Sequence, residues 1–304
     1  MKSKYVLFLS SIILFDCNDQ KPDATFDTTV PSPFAKDRSI SILYDEGHNN
    51  IHHLDKTYSP FRDILQNDGY QFSINSSPIT KSRLETNQIL VIVNPMGGSI
   101  NDKYKPAFDD AECNTIEKWV SEGGSLLLVT DHYPVGTATK SLAAKFGVFM
   151  GEGTVEDSDP NHYDQESGWK DQLLFTKKNG LLAEHEITAG VDKVMTFTGQ
   201  SLSVPAGAEV LLKLGEQSVE SRPDSIWDTG FWVFKSTNAR FQDHVSTYGL
   251  CQGLALKHGQ GKVVILGEAA MLTAQIHENQ KFGMNYGITD NKQLLLNIMH
   301  WLTN

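Results

Sequence analysis

The chain has 304 residues, 39% hydrophobic and 21% charged, with a formal net charge of −11. Such a composition belongs to a globular chain with a sizeable core, not to a disordered or collagen-like one. The acidic balance, without a Lys/Arg cluster, argues against nucleic acid as a partner, and it means that local groups must hold any anionic substrate, because the field of the whole molecule repels one.

The first residues read as an export signal over 1–16. Lys2 and Lys4 form a charged start, and the apolar run 6–15 is too short to span a bilayer but fits a secretory segment. Leu14-Phe15-Asp16-Cys17 resembles a bacterial lipobox, although Phe15 and Asp16 stand where small residues are usual. Lipidation of Cys17 would make the membrane a partner and place the protein on the outer-membrane or periplasmic side. Plain secretion with cleavage nearby is the competing reading. The polar stretch 17–38 then reads as a tether, and 39–304 as a single α/β domain of ordinary size. Beyond Cys17 only Cys113 and Cys251 remain, with no C-x-x-C spacing. One disulfide or two buried thiols are both open.

Along the chain, 39–44 reads as a strand. A helix follows over 59–67, with Phe61, Ile64 and Leu65 on one face and Gly69 past its end. Short strands are expected over 70–74 and 88–94. An amphipathic helix over 109–122 turns Ile116, Trp119 and Val120 inward and stops at Gly123-Gly124. A strand over 125–130 and a helix over 137–146, ended by Gly147, complete an alternation that predicts a doubly wound, mostly parallel sheet of the flavodoxin-like kind. The pattern then changes to a β-rich insertion over about 151–250, with β-like runs at 194–198 and 209–214 and a loop-like stretch over 215–240. The runs 254–257 and 262–266 flank His258-Gly259-Gln260-Gly261, a hairpin signal. A closing helix over 291–302 carries Leu294, Leu295, Ile298, Met299 and Trp301.

Four of the strand-like runs end on polar clusters, so His48, Asp131, His132 and Glu268 are expected on one rim of one sheet, where open α/β sheets bind ligands. In Asp45-Glu46-Gly47-His48-Asn49-Asn50-Ile51-His52-His53, Gly47 permits a tight turn, and His48 offers an acid, a base or a metal ligand. Glu46 and Asn49 are candidate substrate contacts. A capped helix start with surface histidines is the bland alternative. In Asp131-His132-Tyr133, His132 suits a general base oriented by Asp131, with Tyr133 as proton donor. The alternative there is Asp131 as a helix cap. Glu268, half buried at a strand end, suits an acid or base of raised pKa, or else a first-turn carboxylate favoured by the dipole. Asn94 is a candidate donor to a substrate oxygen, and Gly97-Gly98 permits close backbone approach. Trp227 and Trp232, in an aromatic loop with Phe231 and Phe234, suit a sugar-stacking platform or a small satellite core. His48, His52, Asp131, His132 and Glu268 supply N/O donors for a divalent metal, but no H-E-x-x-H spacing occurs, so metal-free acid–base chemistry ranks first. Without a G-x-G-x-x-G or Walker sequence, no nucleotide cofactor is expected.

Residues 42–50, 119–128 (Trp119-Val120-Ser121-Glu122-Gly123-Gly124-Ser125-Leu126-Leu127-Leu128) and 261–268 (Gly261-Lys262-Val263-Val264-Ile265-Leu266-Gly267-Glu268) resemble the class I glutamine amidotransferase-like superfamily. The resemblance covers about 39–151 and 253–303. At the turn where that superfamily carries its cysteine nucleophile, this chain has Thr130-Asp131-His132-Tyr133-Pro134-Val135-Gly136, with neither Cys nor Ser, so amidotransfer is not expected. Within the superfamily the chain looks like branches without the cysteine, including trehalose-utilisation-type proteins that act on modified sugars. Similar lipoproteins belong to polysaccharide-degrading systems of Gram-negative bacteria. The resemblance thus implies an oligosaccharide substrate. The expected activity is a lyase or dehydratase removing water from acidic oligosaccharides, with Arg222, Arg240 or Lys140 holding the anion. A sugar isomerase or hydrolase, with or without metal, and a non-catalytic glycan-binding lipoprotein are the alternatives.

Overall fold

A computed structural model describes residues 20–97, 105–132, 135–223, 241–277 and 279–304. A seven-stranded sheet organises it. We number its strands β1 (Ser41–Asp45), β2 (Gln71–Asn75), β3 (Ile89–Val93), β4 (Ser125–Val129), β5 (Glu209–Lys213), β6 (Cys251–His258) and β7 (Gly261–Leu266). Their order across the sheet is β2-β1-β3-β4-β7-β6-β5. The first five strands run parallel, and β6 and β5 are antiparallel additions at one edge.

The apolar runs are continuous because both faces of the sheet are covered. Every residue of β3 and β4 is buried. Alternate side chains divide between two cores. Leu90, Ile92, Leu126, Leu128, Val263 and Ile265 pack with Cys113, Ile116 and Val120 of helix α2 (Asp110–Ser121) and with Leu142 and Ala143 of helix α3 (Lys140–Lys145). Val91, Val93, Leu127, Val129, Val264 and Leu266 pack with Phe61, Ile64 and Leu65 of helix α1 (Ser59–Asn67) and with Leu294, Leu295 and Ile298 of helix α4 (Asn291–Thr303). A reciprocal cap starts α2: Asp109 accepts from the Glu112 amide, and Glu112 accepts from the Asp109 amide.

Several expectations change. The helix expected over 137–146 is two pieces, Val135–Ala138 and α3. The Ala138 carbonyl accepts from the Ala107 amide at 2.8 Å, so it does not continue the helical ladder. The run 194–198 yields only Lys193–Met195, paired with Leu174–Thr176; Thr198 lies at φ 68°, outside strand geometry. The β-rich span is not wholly an insertion. Its strand β5 joins the main sheet, while Thr154–Asp157, Ser218–Pro223 and Phe241–Ser246 form a separate three-stranded sheet.

The stretch expected as a tether is packed on the domain from residue 20 onward. Lys21–Pro22 adds a short antiparallel strand to the hairpin Ala274–His277/Gln280–Gly283. Asp23 is buried and accepts from Thr25 and Asn285, with Lys281 at 3.0 Å. Those partners outweigh its desolvation and hold the carboxyl well below its usual range. Asp68 accepts from the Ala35 amide with its backbone carbonyl and from the Phe34 amide with one carboxylate oxygen, and its second carboxylate oxygen meets His300 Nε2 at 2.7 Å. Cys113 and Cys251 are free buried thiols, pushed up to about 11 and about 12 by burial. Among the described residues no helix is long and apolar enough to cross a membrane. The signal over 1–16 and Cys17 lie outside them.

Candidate functional site

The carboxyl ends of β1, β3, β4 and β7 lie side by side. The winding reverses between β1 and β3, with β2 on one side and the later strands on the other, which is where such sheets open a crevice. Two separate polar clusters occupy this rim.

The first closes around Asp45, the fully buried last residue of β1. One of its oxygens accepts from Asn75 Nδ2 at 2.9 Å and from the Gly47 amide at 3.3 Å. The other accepts from Asn50 Nδ2 at 3.2 Å. His48 Nδ1 lies 2.9 Å from both oxygens, and His48 Nε2 lies 3.0 Å from Glu112 Oε1. Burial alone would push His48 down; the Asp45 and Glu112 carboxylates outweigh it and raise its pKa. Glu112 also accepts from the Ile79 amide at 2.8 Å. Carboxylates therefore occupy both ring nitrogens of His48, the expected acid, base or metal ligand; here it ties β1 to α2, with its charged form favoured. Gly47 is required for close approach, since a Cβ there would stand 2.7 Å from the Ser77 backbone.

Glu46 folds back in the same loop, accepting from the Leu54 amide at 2.9 Å, with His53 Nδ1 at 3.0 Å. Asn49 lies at φ 52° and donates to the Gly97 carbonyl. Of the two expected substrate contacts, Glu46 thus braces its own loop and Asn49 ties that loop to the turn after β3. His52 is buried, with Nδ1 2.7 Å from Thr57 Oγ1 and its ring 4.9 Å from that of Tyr58. Burial, with a smaller contribution from His53, depresses its pKa to about 3.

The second cluster gathers Asn94, Asp131, His132 and Glu268; His48, expected with the last three, belongs to the first cluster instead. Glu268 is fully buried. It accepts from the amides of Ala270 at 2.6 Å and Met271 at 2.8 Å, opening the short turn Ala270–Leu272, and from the Phe197 backbone. Burial raises its pKa well above the carboxylate range, and the Asp131 charge raises it further. Asp131 is also raised by burial, with the His132 charge acting against that. The two carboxyls thus disfavour each other's ionisation, Glu268 the more strongly because it is the more deeply buried. Asp131 accepts from the His132 amide at 2.8 Å and lies 3.5 Å from Asn94 Nδ2. His132 Nε2 stands 3.7 Å from Asp131 Oδ1, and both side chains reach solvent, 17% and 14% exposed.

Asp171, on the insertion, is a member that sequence reasoning missed. Burial raises its pKa, and the His132 charge opposes the shift. Its Oδ1 is buried without a hydrogen-bond partner, as is Asn94 Oδ1. Asn94 itself is 2% exposed and lies at φ 42°, a strained conformation that Asn tolerates better than most residues. Nothing in the polar stretch around Asp171 marks it in sequence. Glu112 carried a partial signal, since Asp109-x-x-Glu112 spells a capping box, but its second use on His48 is invisible without the fold.

Among the described residues no group of three or more His, Cys, Asp or Glu is placed to hold a metal ion. The five residues weighed as ligands are divided between the two clusters and the buried His52. Lys140 forms an ion pair with Glu152. Tyr133, Trp227, Trp232 and Arg240, and the side chain of Arg222, lie outside the described residues.

No family model matches the sequence. No curated protein matches it either. Solved structures do share its fold. The mmIFT52 N-terminal domain matches at 15% identity over 86% of this chain and 97% of its own, with a TM-score of 0.60. A ThuA-like protein from Bacteroides uniformis matches at 13% identity over 90% of this chain and 93% of its own, TM-score 0.45. Another from Parabacteroides merdae matches at 14% over 88% and 91%, TM-score 0.45.

Proposed function

We propose that this protein is an exported, lipid-anchored enzyme that removes water from an oligosaccharide by acid–base catalysis at the Asp131–His132 rim. Its scaffold is read as doubly wound and flavodoxin-like, of the class I glutamine amidotransferase-like type without the nucleophile. The strand order β2-β1-β3-β4-β7 supports that reading. The observation that carries the chemistry is the placement of Asp131 3.7 Å from the solvent-facing His132, with burial raising the pKa of Asp131 and of the neighbouring Glu268.

In this mechanism His132 takes a proton from a carbon acidified by a neighbouring carbonyl or carboxylate. The C–H electron pair forms the new C=C bond, and the C–O bond to the adjacent oxygen breaks. Asp131, whose protonated form burial favours, orients His132 and delivers its carboxyl proton to the departing oxygen, which leaves as water. Glu268 does not reach the substrate; it is a positioning residue that sets the protonation of Asp131. Incubation of the purified protein with acidic, neutral and amino oligosaccharides, followed by mass spectrometry, is expected to show loss of one water. His132→Gln should cut kcat about 10²-fold at unchanged melting temperature; unchanged turnover rejects the assignment. Glu268→Gln should instead move the alkaline limb of the pH–rate profile downward, because a lone Asp131 loses its proton sooner. An unmoved limb removes Glu268 from the mechanism.

One observation favours a second reading. Backbone amides hold both oxygens of Glu268, as in a purely structural turn. Sugar binding without turnover of any bound ligand would select a non-catalytic glycan-binding lipoprotein. The anchor has its own test: Cys17→Ser should abolish fatty-acid labelling and release the protein from the membrane fraction, and retained labelling rejects Cys17 as the site.

A further inference from the structure

The second cluster is rich in acceptors. Asp131 and Glu268 end adjacent strands there, Asp171 is near enough to feel the His132 charge, and Asn94 brings its amide to 3.5 Å from Asp131 while leaving its own buried Oδ1 without a donor. Asp171 Oδ1 is likewise buried and undonated. Among the described residues no Lys or Arg pairs with these carboxyls, and the basic side chain beside Asp131 is His132, at 3.7 Å. Lys140, a candidate for holding an anion, is engaged by Glu152. A buried acceptor without a donor costs about 1–3 kcal/mol, and a ligand offering O–H or N–H groups recovers that cost. A ligand carboxylate adds repulsion in a place of low dielectric.

We propose that the site formed by Asn94, Asp131, His132 and Asp171 takes a sugar unit that presents hydroxyl or ammonium donors to it, and rejects a carboxylate there. This rests on the carbohydrate reading above and reverses its preference for acidic substrates at this subsite. Asn94 Oδ1 and Asp171 Oδ1 accept from the ligand, and specificity comes from the donor groups that a uronate lacks.

The test uses matched trios of methyl hexosides in the gluco, galacto and manno series: the neutral sugar, its 2-amino form and its C6 uronate. Binding is followed by calorimetry at pH 7. The neutral or amino member of at least one trio is expected to bind tenfold or more tighter than its uronate. Asn94→Gly, which keeps the left-handed backbone available, should weaken that ligand about tenfold. Asp171→Asn should selectively weaken the amino member and narrow the gap to the uronate, and it decides alone if the Gly variant fails to fold. A uronate that binds best overturns this inference and leaves the acid–base reading standing. Neutral or amino preference supports it whether or not the oligosaccharide panel above shows loss of water, and absence of that loss rejects the dehydratase separately. No binding by any trio overturns both.

Discussion

Asp45→Ala is expected to destabilise the protein by about 3–5 kcal/mol, because it removes the anion from a buried, hydrogen-bonded charge pair. The alanine strands His48 with Glu112 alone and leaves the amides of Asn50 and Asn75 without their carboxylate acceptor. Urea unfolding of variant and wild type measures the loss. The pH dependence supplies a second readout. His48 is raised above its ordinary value of 6.5 in the folded state, so its contribution is complete below pH 6.5 and fades as pH climbs through the folded value. In Asp45→Ala that alkaline fall should flatten. A loss under about 1 kcal/mol with an unchanged slope would mean that the clamp is neutral, contrary to the assignment of an imidazolium.

His52 acts in the opposite direction. Its pKa falls from 6.5 to about 3 on burial, so the unfolded chain binds a proton that the folded chain refuses. Its contribution is therefore complete above pH 6.5 and is lost as pH falls towards 3, by an amount on the order of 5 kcal/mol. His52→Phe keeps an aromatic ring beside Tyr58 and removes the titration. The expected result is a shallower loss of stability between pH 6.5 and 3, read from unfolding free energies across that range, at the cost of about 1 kcal/mol at neutral pH for the lost contact with Thr57. An identical acid slope in variant and wild type would show that His52 protonates without penalty.

The parts of the fold legible in sequence are those whose physics is local. β3, β4 and β7 read as continuous apolar runs because helices cover both faces, and α2 carries its own cap and stop. The grouping of Asn94, Asp131, His132 and Glu268 followed from the rule that parallel strands deliver their carboxyl ends to one rim. What escaped depends on partners far away in the chain. Glu112 claims His48 across 64 positions. Asp171 reaches His132 from the insertion, and Lys21–Pro22 finds its strand partner at Ala274–His277. Polar loops such as 45–53 carry residues suited equally to catalysis and to bracing, and only the hydrogen-bond inventory separates the two.

The place of β7 has a consequence for how the chain is made. β4 ends at Val129, yet its outer neighbour begins at Gly261, about 130 residues later. At ribosomal rates of about 5–20 residues per second, roughly 7–26 seconds of synthesis separate the two. Throughout that interval a nascent four-stranded sheet carries a bare apolar edge, the kind that recruits stray strands. Residues 261–303 then seal that edge with β7 and lay α4 over one face, so the hazard lasts until those residues have been made.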